Sequence, residues 1–306
     1  MKKFKIFYMF AALAALLMAP LSNAWAAYTT LTMFDHIYYD VGPVSSSDRY
    51  AVCGYWGGLY ATYDWLPRGA VVVAKPNQSG VTKGTTAENM VITNQVKVIV
   101  IAGVGSSPLG ALAMAKQAAN ILKVPVAGIV AGQGGYEMTY DAMVGLLNNS
   151  TNKYNSFASG AYVPNIMSSE KLYTLYSKGA RPKLIIGHSK GTWDYINALW
   201  KMNNLGKASW YAGTKFVSFG MNGIVPGNVA NFRAYIGSAD LLGMTNFDST
   251  KNLTWVPSKK HSLNRHALDS TLAATMPLLV PEGKPETAMP VEIYLPKAVA
   301  EMGVVF

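Results

Sequence analysis

The sequence has few of the side chains that cross-link small exported domains or bind metal ions. It contains one cysteine, Cys53, and four histidines that are scattered along the chain. A single cysteine excludes an internal disulfide, and so few thiol and imidazole groups form no metal-binding pattern. We therefore expect Cys53 to be a small buried apolar residue and expect no metal site.

Acidic residues are also scarce. The chain has 16 Asp and Glu against 26 Lys and Arg, which gives a formal net charge of +10. The basic residues form no dense run; Lys251, Lys259 and Lys260 are the nearest to a cluster. This scatter predicts a solvated cationic surface rather than a nucleic-acid groove, so no nucleic-acid partner is expected. The positive charge allows peripheral association with an anionic envelope surface.

A long apolar run is absent as well. The longest such run covers residues 6–19, which is shorter than the ~20 residues that a helix needs to cross a bilayer. Lysines precede the run, and the small-residue pattern Ala24-Trp25-Ala26 follows it. These features predict a signal peptide over residues 1–26, cleaved after Ala26 or alternatively after Ala24, and hence a periplasmic or extracellular protein.

The remaining residues, 27–306, contain no internal repeat and are predicted to form a single domain. From residue 96 onwards, mostly apolar strands alternate with helical segments. This alternation predicts an α/β fold with a mostly parallel, doubly wound sheet and helices on both faces. The predicted strands are 70–74, 96–101, 124–130, 184–187, 215–221, 232–236 and 254–256, and the predicted helices are 109–122, 136–147, 168–177, 190–203 and 267–275.

The other segments are less regular. Residues 27–95 are rich in aromatic and β-branched side chains punctuated by glycine, proline and serine, which predicts a strand-rich N-terminal part with His36 on a strand. The specific expectations are short strands over 30–39 and 51–63, a polar loop over 76–88, a lid insertion over 148–165 and an edge strand over 291–295.

One short motif indicates chemistry. Gly187-His188-Ser189-Lys190-Gly191 follows a predicted strand and precedes a predicted helix. In such an elbow the serine lies on a sharp strand-to-helix turn, and glycine is needed two positions before and two after it. A serine hydroxyl is a weak nucleophile, so it needs an adjacent base and a carboxylate that orients the base.

Candidates for both partners follow Ser189 along the chain. Asp240 stands just past one predicted strand, and His261 stands just past the next. The chain order Ser, Asp, His is the order that the elbow predicts. Asp248 is an alternative acid and His266 an alternative base.

An oxyanion intermediate needs two backbone donors. We expect one from the amide of Lys190, the residue after the serine, and the other from Val104, which lies between two glycines after an early strand. His188 is expected to point away from the reaction as a packing residue. Asp194 is expected to be a surface or helix-packing acid.

These residues resemble the α/β-hydrolase superfamily, and within it the class 3 and related bacterial lipase-like proteins. The similar segments, which together span roughly residues 96–270, are the G-H-S-x-G elbow at 187–191, Phe219-Gly220, Asp240-Leu241-Leu242 and His261-Ser262-Leu263. Lys190 stands where Leu or Gln is commoner in these proteins, the oxyanion loop lacks a His-Gly start, and residues 27–95 match no segment of the family.

The sequence thus predicts an exported serine hydrolase. The resemblance implies a lipase or carboxylesterase that acts on an ester or lipid substrate through an acyl-enzyme, without a metal or organic cofactor. The alternatives are an acyltransferase of the same fold and a non-catalytic hydrolase-fold protein that binds the envelope.

Overall fold

The computed structural model describes residues 32–54, 65–134, 166–221, 223, 225–227, 229–240, 252–264 and 287–306. Several predictions fall outside these ranges: the signal peptide, the lid insertion, the helices over 136–147 and 267–275, Asp248 and His266. None of the helices in the described ranges is long and apolar enough to span a bilayer.

The described strands form one eight-stranded sheet. The strands are β1 (Val71–Ala74), β2 (Thr82–Lys83), β3 (Val98–Ile101), β4 (Val126–Ile129), β5 (Leu184–His188), β6 (Lys215–Phe219), β7 (Phe232–Gly237) and β8 (Leu253–Val256). Their order is β2-β1-β4-β3-β5-β6-β7-β8. The strand β1 pairs antiparallel with β2 and β4, and the other pairings are parallel. The predicted α/β class and mostly parallel sheet are therefore confirmed.

Helices cover both faces of this sheet. They are α1 (Met33–Tyr38), α2 (Ser46–Cys53), α3 (Gly84–Ile92), α4 (Pro108–Leu122), α5 (Met167–Ser177), α6 (Lys190–Asn204) and α7 (Val291–Glu301). The core on one face contains side chains from α1, α2, α4 and α7, and the core on the other contains side chains from α3, α5 and α6. Both cores take alternate strand residues: Val98 and Val100 point to the first, Ile99 and Ile101 to the second. This two-sided burial explains why the strands read as continuous apolar runs.

The predicted strand over 30–39 is wrong, because these residues contain helix α1. Phe34, Ile37 and Tyr38 are all buried, and their spacing of three and four residues matches one face of a helix. Burial of this face in the core that also contains α4 outweighs the strand preference of the aromatic and β-branched side chains. His36 accordingly lies on a helix, and part of the strand predicted over 51–63 is the end of helix α2.

Two further predictions are corrected. The segment 76–88 is a loop only in its first part, because β2 begins at Thr82 and α3 at Gly84. The segment 291–295 is not an edge strand but the start of α7, whose buried residues Val291, Leu295 and Ala298 recur at helical spacing. The other strands and helices predicted within the described residues agree with the structure to within two residues at each end.

Candidate active site

Ser189 lies on the tight turn that joins β5 to α6. Its φ is 51° and its ψ is −126°, a conformation that is strained for a residue with a side chain. A Cβ on Gly187 would lie 2.6 Å from the Cα of Thr192, and a Cβ on Gly191 would lie 2.1 Å from the carbonyl oxygen of Ile101. Only glycine fits at either position, so the two glycines allow the close packing that the elbow requires.

The structure brings the predicted acid and base together. Asp240 follows β7 and His261 follows β8, and Nδ1 of His261 lies 2.8 Å from Oδ2 of Asp240. Both side chains are fully buried. Because the carboxylate accepts the Nδ1 proton, the lone pair of the neutral imidazole is on Nε2. This is the tautomer that a general base needs.

Ser189 and His261 adjoin the same turn after β6. The amide of Ser189 donates to the carbonyl oxygen of Phe219 at 2.9 Å. The next residue, Gly220, faces the imidazole, since a Cβ there would lie 2.9 Å from both Cε1 and Nδ1 of His261. Nε2 of His261 is buried and has no hydrogen-bond partner in the described part of the chain, Ser189 included. The predicted base therefore has an unused acceptor atom, Nε2, close to the turn at Ser189.

The two predicted oxyanion donors lie in segments that adjoin Ser189. Lys190 is the first residue of α6, where backbone amides have no carbonyl partner within the helix. Val104 follows Gly103 in the loop after β3, and a Cβ on Gly103 would lie 3.1 Å from the Cβ of Ser189. The loop thus passes directly against the serine, although the donor roles of both amides remain predictions.

Helix α1 supports the site in a way that the sequence did not reveal. Its Asp35 accepts hydrogen bonds from the amide of Ser107 at 2.9 Å and from the hydroxyl of Ser107 at 2.5 Å. Ser107 caps α4, the helix that begins after the Val104 loop. Burial raises the pKa of Asp35 to about 7, against the opposing effect of these hydrogen bonds. Asp35 therefore anchors the start of α4 to the N-terminal helix.

The same helix also holds the segment that carries His261. Three groups of that segment donate to the last carbonyl oxygens of α1, which have no partner within the helix. These bonds are Asn264 Nδ2 to His36 at 2.7 Å, Ser262 Oγ to Ile37 at 2.7 Å and the Leu263 amide to Tyr38 at 2.9 Å. The only sequence signal for this role is the helical spacing of the apolar residues in α1.

His188 and Asp194 are both buried beside the elbow. His188 is within hydrogen-bond distance of the hydroxyl of Tyr39 and of the backbone oxygen of His261. Burial, with a smaller effect of His261, lowers the pKa of His188 well below its usual value. Asp194 forms an ion pair with Lys190 at 3.1 Å and accepts a hydrogen bond from Ser168 at 2.6 Å. Asp194 is thus a buried helix-packing acid and not a surface one.

Within the described ranges, no group of three or more His, Cys, Asp or Glu side chains could hold a metal ion. Cys53 is buried, as predicted. Comparisons of the chain with protein-family models, with curated proteins and with solved structures give no significant match.

Proposed function

We propose that the protein is an exported serine hydrolase of the α/β-hydrolase fold, and specifically a carboxylic ester hydrolase of the lipase or esterase kind. The observation that carries this proposal is the fully buried 2.8 Å contact between Asp240 and His261 beside the strained turn at Ser189. A buried carboxylate and imidazole with an unused Nε2 are what a serine nucleophile needs for activation.

The position of the three residues in the sheet supports the same proposal. Ser189, Asp240 and His261 follow the carboxyl ends of β5, β7 and β8, which run parallel to one another. Side chains beyond the carboxyl ends of parallel strands meet at one edge of the sheet, where ligands bind in open α/β folds. The chain order Ser, Asp, His is that of an elbow-type hydrolase.

The proposed reaction proceeds in two steps. Ser189 Oγ transfers its proton to Nε2 of His261 and attacks the ester carbonyl, and Asp240 stabilises the imidazolium that forms. The amides of Lys190 and Val104 hold the oxyanion. The intermediate collapses to an acyl-enzyme as the alcohol leaves with the proton from His261. Water then gives a proton to His261 and attacks the acyl-enzyme. As the bond between Ser189 Oγ and the acyl group breaks, His261 returns this proton to Oγ and the carboxylic acid leaves.

The test is the hydrolysis of p-nitrophenyl esters of increasing acyl length by the purified mature protein. We expect Ser189→Ala to lower kcat by at least about a thousandfold. The midpoint of thermal unfolding should not fall, which would show that the fold is retained. Ser177→Ala is the matched control, since this serine is exposed at the end of α5 and its hydroxyl donates to the carbonyl oxygen of Thr174 in the same helix. Undiminished hydrolysis by Ser189→Ala would exclude the proposed function. The dependence on acyl length distinguishes a lipase from a short-chain esterase.

A further inference from the structure

A continuous chain of buried hydrogen bonds connects the loop after β3 to the backbone of His261. The amide of Gly103 donates to the hydroxyl of Tyr39 at 2.7 Å. That hydroxyl lies 2.8 Å from Nδ1 of His188, and Nε2 of His188 lies 3.0 Å from the carbonyl oxygen of His261. Tyr39 and His188 are fully buried, so water does not compete for these groups.

The identities of the end groups fix the direction of every bond. A carbonyl oxygen can only accept, so Nε2 of His188 carries a proton and donates it to His261. A backbone amide can only donate, so the hydroxyl of Tyr39 accepts from Gly103 and directs its own proton to Nδ1 of His188. With His188 neutral, every donor in this chain of hydrogen bonds then has an acceptor. No other neutral arrangement satisfies all three bonds.

A satisfied histidine in a core is common, but this one lies between the two segments that flank the proposed nucleophile. At one end, Gly103 packs against Ser189, since a Cβ on Gly103 would lie 3.1 Å from the Cβ of Ser189. At the other end is the backbone of His261 itself. The ring of Tyr38 packs edge-on against both imidazoles, with centroid distances of 5.4 Å to His188 and 5.7 Å to His261.

We propose that Tyr39 and His188 are positioning residues that hold the loop containing Val104 and the backbone of His261 at a fixed separation across Ser189. This inference rests on the proposed hydrolase function. Neither side chain exchanges a proton with the substrate. Their linked hydrogen bonds align the general base with an oxyanion donor, so their loss lowers kcat rather than substrate binding.

The kinetic test compares two tyrosine-to-phenylalanine variants. Tyr39→Phe removes the central hydroxyl and leaves the ring. Tyr176→Phe is the control, because Tyr176 is also fully buried and its hydroxyl pairs with Thr214 at 2.8 Å in the core on the opposite face of the sheet. For Tyr39→Phe we expect kcat to fall about tenfold or more with KM nearly unchanged. For Tyr176→Phe we expect kcat to stay within about twofold of the original. Equal changes in kcat for the two variants would overturn the inference.

If Tyr39→Phe fails to fold, the position of the proton on the His188 imidazole provides a second test. In NMR spectra of the imidazole nitrogens of Ser189→Ala, we expect His188 to be neutral, with its proton on Nε2, between pH 6 and 8. A proton on Nδ1 of His188, or a charged ring, overturns the inference. The result does not depend on turnover, so it separates this inference from the proposed function, which fails if the original protein hydrolyses no ester or if Ser189→Ala hydrolyses esters as fast as the original.

Discussion

Gly220 provides a sharp test of the proposed base, because its missing side chain makes room for the imidazole. The residue has a φ of 71°, and a Cβ there would lie 2.9 Å from Cε1 and Nδ1 of His261 and 3.5 Å from Oδ2 of Asp240. Ordinary carbon contacts are at about 3.5 Å or more. In Gly220→Ala the ring must therefore move by roughly half an ångström. Because Nδ1 is the atom that binds Asp240, this movement misaligns the acid and the base.

We expect kcat of Gly220→Ala for p-nitrophenyl ester hydrolysis to fall about tenfold or more, since misplacement by an ångström can cost about a hundredfold. Gly206→Ala is the matched control: Gly206 has a φ of 69° and nothing within 4 Å of a Cβ. Both variants bear the cost of a side chain at positive φ, about 1 kcal/mol, but only one displaces His261. Urea unfolding of both variants checks that the fold is retained. Equal losses of kcat in the two variants would show that Gly220 does not position His261.

Three further predictions concern the acid, the elbow and the N-terminal helix. Asp240→Asn is expected to lower kcat by about 10³- to 10⁴-fold, because the amide no longer holds His261 in the required tautomer; an activity within about tenfold of the original contradicts this. Gly191→Ala, whose Cβ would lie 2.1 Å from a backbone oxygen, is expected to lower the urea midpoint strongly, whereas Gly213→Ala, with nothing within 4 Å, leaves it nearly unchanged. The pKa of Asp35 is raised from 3.8 to about 7, so the stability it contributes is present in full below about pH 4 and is lost as the pH rises to about 7. The unfolding free energy of the original protein minus that of Asp35→Asn should therefore decrease over this pH range. If this difference is constant with pH, the pKa of Asp35 is not raised in the folded protein.

The elbow could be predicted from the sequence because its requirements are local. Glycines at 187 and 191 flank the serine at fixed spacing, and their positions against Thr192 and Ile101 follow from the turn itself. Strands β3 to β7 could also be predicted, since burial on both faces makes them continuous apolar runs. The contact between Asp240 and His261 follows from the parallel pairing of β7 and β8, because the segments after both strands then lie at the same edge of the sheet.

The support given by helix α1 could not be predicted in the same way. Asp35 and Tyr39 act across more than 60 positions of sequence, on Ser107 and Gly103, and no local pattern encodes such contacts. The short helix also has aromatic and β-branched residues that favour strands. Similarly, the edge strand predicted over 291–295 is wrong, because these residues begin helix α7, which continues through Pro296. The buried face of this helix outweighs the hydrogen bond that proline removes.

In the proposed mechanism, Ser189 is a nucleophile activated by His261. The most direct measurement is reaction of the mature protein with a fluorophosphonate probe, followed by mass-spectrometric mapping of the modified peptide. This activation predicts one phosphonate adduct on Ser189, absent from Ser189→Ala and formed much more slowly in His261→Ala. An unmodified protein, an adduct on another residue, or equally fast labelling of Ser189 without His261 would contradict it.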